Sequence, residues 1–283
     1  MAKKKNTLKA DIQQLHRALA LANFAASSSQ ASSKRDKQRI QKIIQTGNKA
    51  ALNTMAALVG YDTYELDPAK TTAISYGGAF IKGNETLDLL DETNASAQAS
   101  AIVDSHEAME AFVKNIAAKF MYAKRGQIPI NQKDRKTAQR RSGKGAAKEN
   151  TPQYFEQFVS VLAARNCSPL FDILFNHVKN LRDRVAKGHF GDHHEIHRAV
   201  EFIRHCKTHG NGRFDPGALK KQPQHTQKIV SSCVGSSVIH RDNRILPSHK
   251  ATHDLVAREA EYGQILYDAL TTAMNMELDY RPN

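Results

Sequence analysis

The sequence predicts a mainly α-helical protein, on three observations. Apolar residues recur at helical spacing in stretch after stretch, with Leu8, Ile12, Leu15 and Leu19 as the first example. Two segments open on a helix-starting device, Thr151-Pro152 and Ser168-Pro169. Aromatic residues make up 7%, Trp is absent and mean hydropathy is −0.55, which suits helices with long polar stretches better than a β-sandwich.

Taken in order, residues 1–60 read as a basic helical hairpin. One arm carries Leu8, Ile12, Leu15, Leu19 and Leu21; the other carries Ile40, Ile43, Ile44, Leu52, Met55 and Leu58. The Ser-rich run Ala25 to Ser33 is the joint between them. Residues 61–94, with Pro68, Gly77, Gly78 and Gly83, read as an irregular acidic connector with a short strand at Thr72 to Tyr76. This is also the best domain boundary. The helical pattern resumes from about residue 95 with Ile102, Val103, Met109, Phe112, Val113, Ile116 and Phe120, beginning near the cap Asp104.

Residues 124–148 carry nine Lys and Arg against the single acid Asp134, among glycines and a proline. So charged a segment cannot bury enough apolar surface to pack, and it reads as a basic loop. Helices follow with Tyr154, Phe155 and Phe158, then with Leu170 to Val185, stopping near Gly188. A further helix starts at Asp192 and ends near Gly210. Val238-Ile239-His240 and Arg244-Ile245-Leu246 flank Arg241-Asp242-Asn243 as a short β-hairpin, and a last helix runs through Leu255 to Met274.

A net charge of +13 points to a polyanionic partner, since Lys and Arg that neutralise phosphates release condensed counterions. The charge is segregated, at +9 over residues 1–50 and −8 over residues 51–110. Cys167, Cys206 and Cys233 are widely spaced, with no CxxC pair, so neither a disulfide framework nor a zinc knuckle is expected. A reducing, cytoplasmic setting follows. No apolar run is long enough for a membrane span.

Chemistry is concentrated at Arg204-His205-Cys206-Lys207-Thr208-His209-Gly210. Arg, four residues and His also occur at Arg184 to His189 and Arg244 to His249, so spacing alone is weak. Only the Arg204 copy has a polar second residue and a place at the end of an amphipathic helix with a Gly-rich exit. This stretch resembles the motif of the HEPN superfamily, in which Arg is followed by a polar Asn, Asp or His, three further residues, and His. The order of helices from about residue 95 to 280, with Glu107 and Glu110 on the first, is similar to the HEPN bundle; the first 90 residues are not covered.

The resemblance implies a HEPN-like bundle forming a homodimer, with Arg204, His205 and His209 in a metal-independent endoribonuclease site. It implies a toxin, defence or RNA-processing role, with an antitoxin or regulatory protein as a further partner. The residue types suit that chemistry independently. RNA brings its own nucleophile, the 2′-OH; imidazole moves protons near neutral pH and a guanidinium stabilises phosphorane charge. His209 is expected as general acid or base, Arg204 as phosphate clamp and His205 as the orienting residue. Lys124, Arg125, Lys133, Arg135, Lys136, Arg140, Arg141, Lys144, Lys207 and Arg213 are the expected RNA contacts, with Tyr122 and Tyr154 placed to stack on bases.

Two other readings use the same residues. The chain could be a non-catalytic nucleic-acid-binding helical protein, or a structural protein that self-assembles through its oppositely charged segments. His189, Asp192, His193, His194 and His197 form the densest group of potential metal ligands, but His194-Glu195-Ile196-His197 is one residue short of HExxH and Asp192 looks like an N-cap. The group therefore reads as a solvated helix start, and neither metal nor cofactor is expected.

Overall fold

The computed structural model describes residues 3–46, 83–128, 136, 140, 147–164, 166–189, 191–210, 212–233 and 244–281. These residues form nine helices, with isolated β-bridges outside them: α1 (Lys9–Thr46), α2 (Gly83–Ala123), α3 (Pro152–Leu162), α4 (Ser168–His177), α5 (Leu181–Ala186), α6 (His193–His209), α7 (Pro216–Lys220), α8 (Gln224–Cys233) and α9 (His249–Ala273). The mainly α class holds among them, and none is long and apolar enough to cross a membrane. The Thr72–Tyr76 strand and the first arm of the hairpin, Val238 to His240, lie outside the described residues. Arg244 of the second arm forms an antiparallel bridge with Arg213, just past α6.

The Ser-rich run is not a joint, because α1 continues through Ala25 to Ser33 without a break. Nothing there stops a helix: the run has no Gly or Pro, and Ala and Ser lose little in a helix. Its small side chains make contact. Ala22 and Ala26 of α1 close on Ala101 of α2. Gln98 Nε2 donates to the Ala26 carbonyl at 2.8 Å and Ser29 Oγ to Asn94 Oδ1 at 3.2 Å.

The apolar face therefore runs Leu8, Ile12, Leu15, Leu19, Ala22, Ala26, a spacing alternating near three and four residues. Leu21, expected on this face, is 60% exposed. Residues 83–94, expected as irregular connector, are the first turns of α2. The two long helices lie antiparallel, with Lys37 paired to Asp91 near one end and Lys119 Nζ 2.5 Å from Asp11 Oδ2 near the other. Part of the charge segregation is thus spent within the chain.

The first residues belong to the main core and are not an appendage across a boundary. Leu8, Ile12, Leu15 and Leu19 share one cluster with Met109, Phe112 and Ile116 of α2, Phe155 and Phe158 of α3, Leu170 and Leu174 of α4, and Tyr262, Leu266 and Tyr267 of α9. Asn6 fixes the entry: its Oδ1 accepts from Leu8 N at 2.8 Å, while its Nδ2 donates to Tyr267 Oη at 2.7 Å and to the Glu277 carbonyl at 2.8 Å. Lys4 and Met276 form a parallel bridge beside it.

Gly263 lets α1 and α9 approach, since a Cβ there would collide with the Leu15 side chain. Gly263→Leu is therefore expected to cost about 1–3 kcal/mol through overpacking, read as a lower urea midpoint. A midpoint within error of the parent would show that this seam has slack.

Ser168 is not a cap, because α4 begins on it and Cys167 precedes it without a side-chain hydrogen bond, but the other local devices form as expected. Thr151 Oγ1 accepts from Tyr154 N at 3.3 Å ahead of Pro152, and Asp192 Oδ1 accepts from His194 N at 2.9 Å and Glu195 N at 3.2 Å. The helix expected over Leu170 to Val185 is two helices, because Asn180 adopts φ 59 between α4 and α5. Beyond α6, two short helices not expected from the sequence, α7 and α8, form. With α6, Leu255 of α9 and Ile102 of α2 they build a second cluster that includes Ile196, Val200, Ile203, Ile229 and Val230.

Candidate functional site: an exposed helix end above a buried histidine cluster

α6 is capped by Asp192 at its start and buries Ile196, Ala199, Val200, Ile203 and Cys206 along one face, which fixes how the rest of the helix is presented. Arg204, His205 and His209 lie off that face. His205 and His209 are exposed, one turn apart, with ring centroids 5.0 Å from each other and planes at 49°. Arg204 is half-buried, its Nε 3.9 Å from Glu107 Oε1 on α2. The rings of His205 and His209 thus meet each other, whereas the Arg204 side chain meets Glu107 of α2.

The exit is tightly built. A Cβ on Gly210 would strike the Arg213 carbonyl oxygen and come within 2.9 Å of that of Cys206, and Gly212 holds φ +75. Ile245 N donates to the Gly212 carbonyl at 2.6 Å, and Arg244 Nη1 donates to Glu92 Oε2 at 2.9 Å, pinning this turn to the start of α2.

Other expected site residues divide. Thr208 Oγ1 donates to the Arg204 carbonyl at 2.9 Å, so this hydroxyl serves the helix backbone. Lys207 Nζ donates to Ser96 Oγ at 2.7 Å, and Arg213 is exposed. Cys206 and Cys167 are free and buried, and burial pushes their thiols up to about 11 and about 12, as inert core cysteines.

In the basic segment Lys124 is half-buried, whereas Arg125, Lys136 and Arg140 are exposed; Lys133, Arg135, Arg141 and Lys144 lie outside the described residues. Seventeen residues of α2 and its C-terminal turn separate Glu107, beside Arg204, from Lys124, about 26 Å at the helical rise. Lys124 and Arg125 therefore do not address the same phosphate as His209 within one chain. Tyr154 is buried, stacked with Phe158 and edge-on to Phe155, so it offers no face to a base. Tyr122 is half-buried with the Arg125 guanidinium 4.7 Å above its ring.

The start of α6 corrects the expectation of a solvated helix end. His193 and His197 are buried, and His194 is half-buried. His197 Nδ1 lies 2.9 and 3.2 Å from the two oxygens of Glu259 on α9, which is 0% exposed. On its other side the His197 ring stacks on His106 of α2, centroids 4.7 Å apart, and Phe171 meets His197 edge-on at 5.2 Å.

His106 is 1% exposed, and neither ring nitrogen has a hydrogen-bond partner; the nearest charge is Glu110 Oε1, 3.7 Å from Nε2. Burying an unpaired polar atom costs about 1–3 kcal/mol. His194 Nδ1 lies 3.0 Å from Tyr262 Oη, with its ring edge-on to Phe171 and Phe175. Gly188 makes room for the His193 ring, which a Cβ would hit.

Protonation in this cluster follows from the same packing. Burial, reinforced by His197, Arg204 and Lys114, drives His106 down to about 2, and burial with Arg198 drives His194 down to about 3. His197 goes the other way: burial alone lowers it, but the Glu259 carboxylate together with Glu201 and Glu110 outweighs burial and leaves it raised. For His106 and His194 the folded state refuses a proton that the unfolded chain accepts. Their contribution is present above the ordinary histidine value and is lost as pH falls towards the folded values. The loss approaches about 1.4 kcal/mol per pH unit for each. The His197 contribution is complete at low pH and fades only as pH rises through its folded value. Stability is therefore expected to fall steeply below about pH 6, and His194→Phe is expected to flatten that fall in urea titrations run at successive pH values. Parallel pH profiles for parent and variant would contradict neutral burial of His194.

His106 and Glu259 were missed in the sequence because each stands alone there, on helices far apart in the chain. Compared with protein-family models, with curated proteins and with solved structures, the chain matches none.

Proposed function

We propose that this chain is a metal-independent endoribonuclease of HEPN type, cutting RNA by attack of the substrate 2′-OH and leaving 2′,3′-cyclic phosphate ends. The observation that carries the reading is the exposed pair His205 and His209, rings 5.0 Å apart, with the Arg204 side chain on the same helix end. His209 moves the proton, Arg204 holds the scissile phosphate, and His205 orients its neighbour. Glu107, 3.9 Å from Arg204 Nε, positions the guanidinium. In a symmetric dimer a second copy supplies another Arg and His pair to the groove, and brings a second set of Lys124 and Arg125 to RNA that one chain does not reach. The biological setting that fits is a cytoplasmic toxin, defence or RNA-processing factor, with an antitoxin or regulatory partner.

The test is cleavage of a mixed RNA substrate in excess EDTA, with analysis of the product ends. Cyclic phosphate ends are expected. RNA retention without cleavage would instead favour the non-catalytic nucleic-acid-binding reading, and oligomerisation with no RNA affinity the self-assembling one.

A further inference from the structure

We propose that His106, His197 and Glu259 bind a divalent transition-metal ion of zinc type, clamping α2, α6 and α9 together inside the core. Each residue offers one ligand atom, all three atoms lie within 4.8 Å of one another, and all three side chains are buried. In a tetrahedral centre with bonds of about 2.0–2.2 Å the ligand atoms stand about 3.4 Å apart, so side-chain rotation suffices to close the set. The donors choose the ion. Two imidazoles and a carboxylate suit zinc and its neighbours, whereas magnesium and calcium prefer oxygen throughout.

A second observation, independent of the clustering, points to a ligand. His106 is 1% exposed and both its ring nitrogens lack a hydrogen-bond partner, although it faces the one buried carboxylate–histidine pair in this cluster. An ion gives one nitrogen a partner, and Glu110, 3.7 Å away from Nε2, is at hand for the proton of the ring, as carboxylates behind ligating imidazoles commonly are. Phe171 and Tyr262, packed against the His197 ring, keep the surroundings dry. The ion also supplies charge where Glu259 and Glu110 supply the opposite sign.

This ion is structural. Along α6, His197 stands about 18 Å from His209 and about 10 Å from Arg204, so the ion lies apart from the residue proposed to move the proton. The inference is independent of the ribonuclease reading and stands or falls separately.

The experiment uses the full chain, stripped of metal and titrated with zinc chloride, with cobalt(II) chloride as the coloured probe and magnesium chloride as the control. One zinc ion per chain, a raised Tm and visible cobalt bands of tetrahedral strength are expected, with no response to magnesium. X-ray absorption on the zinc-loaded wild type should read two imidazoles among the ligands. His106→Phe keeps the stack on His197 and removes both nitrogens, so it is expected to weaken binding by more than about 100-fold, since loss of a residue merely behind a ligand already costs about 10–100-fold. His253→Ala, at an exposed site, should leave uptake unchanged. No zinc uptake by the wild type, or an unchanged Tm on loading, overturns the proposal. So does undiminished uptake by His106→Phe, which would place the ion on surface histidines. Should His106→Phe not fold, the wild-type ligand count decides alone.

Discussion

His209→Ala is expected to slow RNA cleavage by about 10²–10⁴-fold, the range that a positioned general acid or base contributes. The side chain is exposed, and its ring contact is with His205, so the variant should unfold at the same urea midpoint as the parent. That separation of rate from stability is what makes the substitution informative. Arg204 needs a finer series. Arg204→Ala removes charge and fork together, whereas Arg204→Lys keeps the charge and loses the two-pronged geometry. A phosphate clamp predicts a graded loss across the two. His205→Asn keeps a polar group at the position and should retain most activity. Cleavage by His209→Ala at the parental rate, with the fold intact, would remove the proposed chemistry from this helix end.

Glu259→Ala should have the largest effect on stability, about 3–5 kcal/mol, because it leaves His197 buried without its counter-charge. Both carboxylate oxygens lie within 3.2 Å of His197 Nδ1, and neither side chain has meaningful access to water. For a domain with a total stability of about 5–15 kcal/mol, such a loss takes a large share of what holds the chain folded. Urea titration of metal-free protein is the measurement, which keeps the ion pair separate from any bound metal. Glu259→Gln, which can still accept one hydrogen bond, should lie between. In a double-mutant cycle the pair Glu259→Ala with His197→Ala should cost clearly less than the two single changes summed. A cost below about 1 kcal/mol for Glu259→Ala would mean that water reaches the pair.

Much of the helical layout was legible because its signals are local. The caps at Thr151 and Asp192 and the apolar stripes of α6 and α9 need only neighbours three or four residues away. The Ser-rich run misled for the opposite reason. Ala and Ser resemble a linker by composition, yet here they let α1 lie close to α2, a property of the partner helix and not of the run itself. Leu21 shows the same limit: it is the most hydrophobic residue in its turn, but Ala22 has the correct angular position.

The triplet at the end of α6 could be found because Arg204, His205 and His209 follow one another on a single helix. The buried cluster could not. His197 was visible only as one of a group of neighbouring histidines, and its environment is set by His106 and Glu259, brought from α2 and α9 by tertiary packing alone.

The bridge between Lys4 and Met276, with Asn6 reaching Tyr267, joins positions about as far apart along the chain as the described residues allow. During synthesis α1 and α2 can zip together early, whereas the seam at Gly263 has no second side until α9 has been made. That last closure joins residues 271 positions apart, so native assembly should be slow at its final step. Until then the stripe from Leu8 to Leu19 is half covered, which makes the nascent chain a client for holding factors before it is a finished protein.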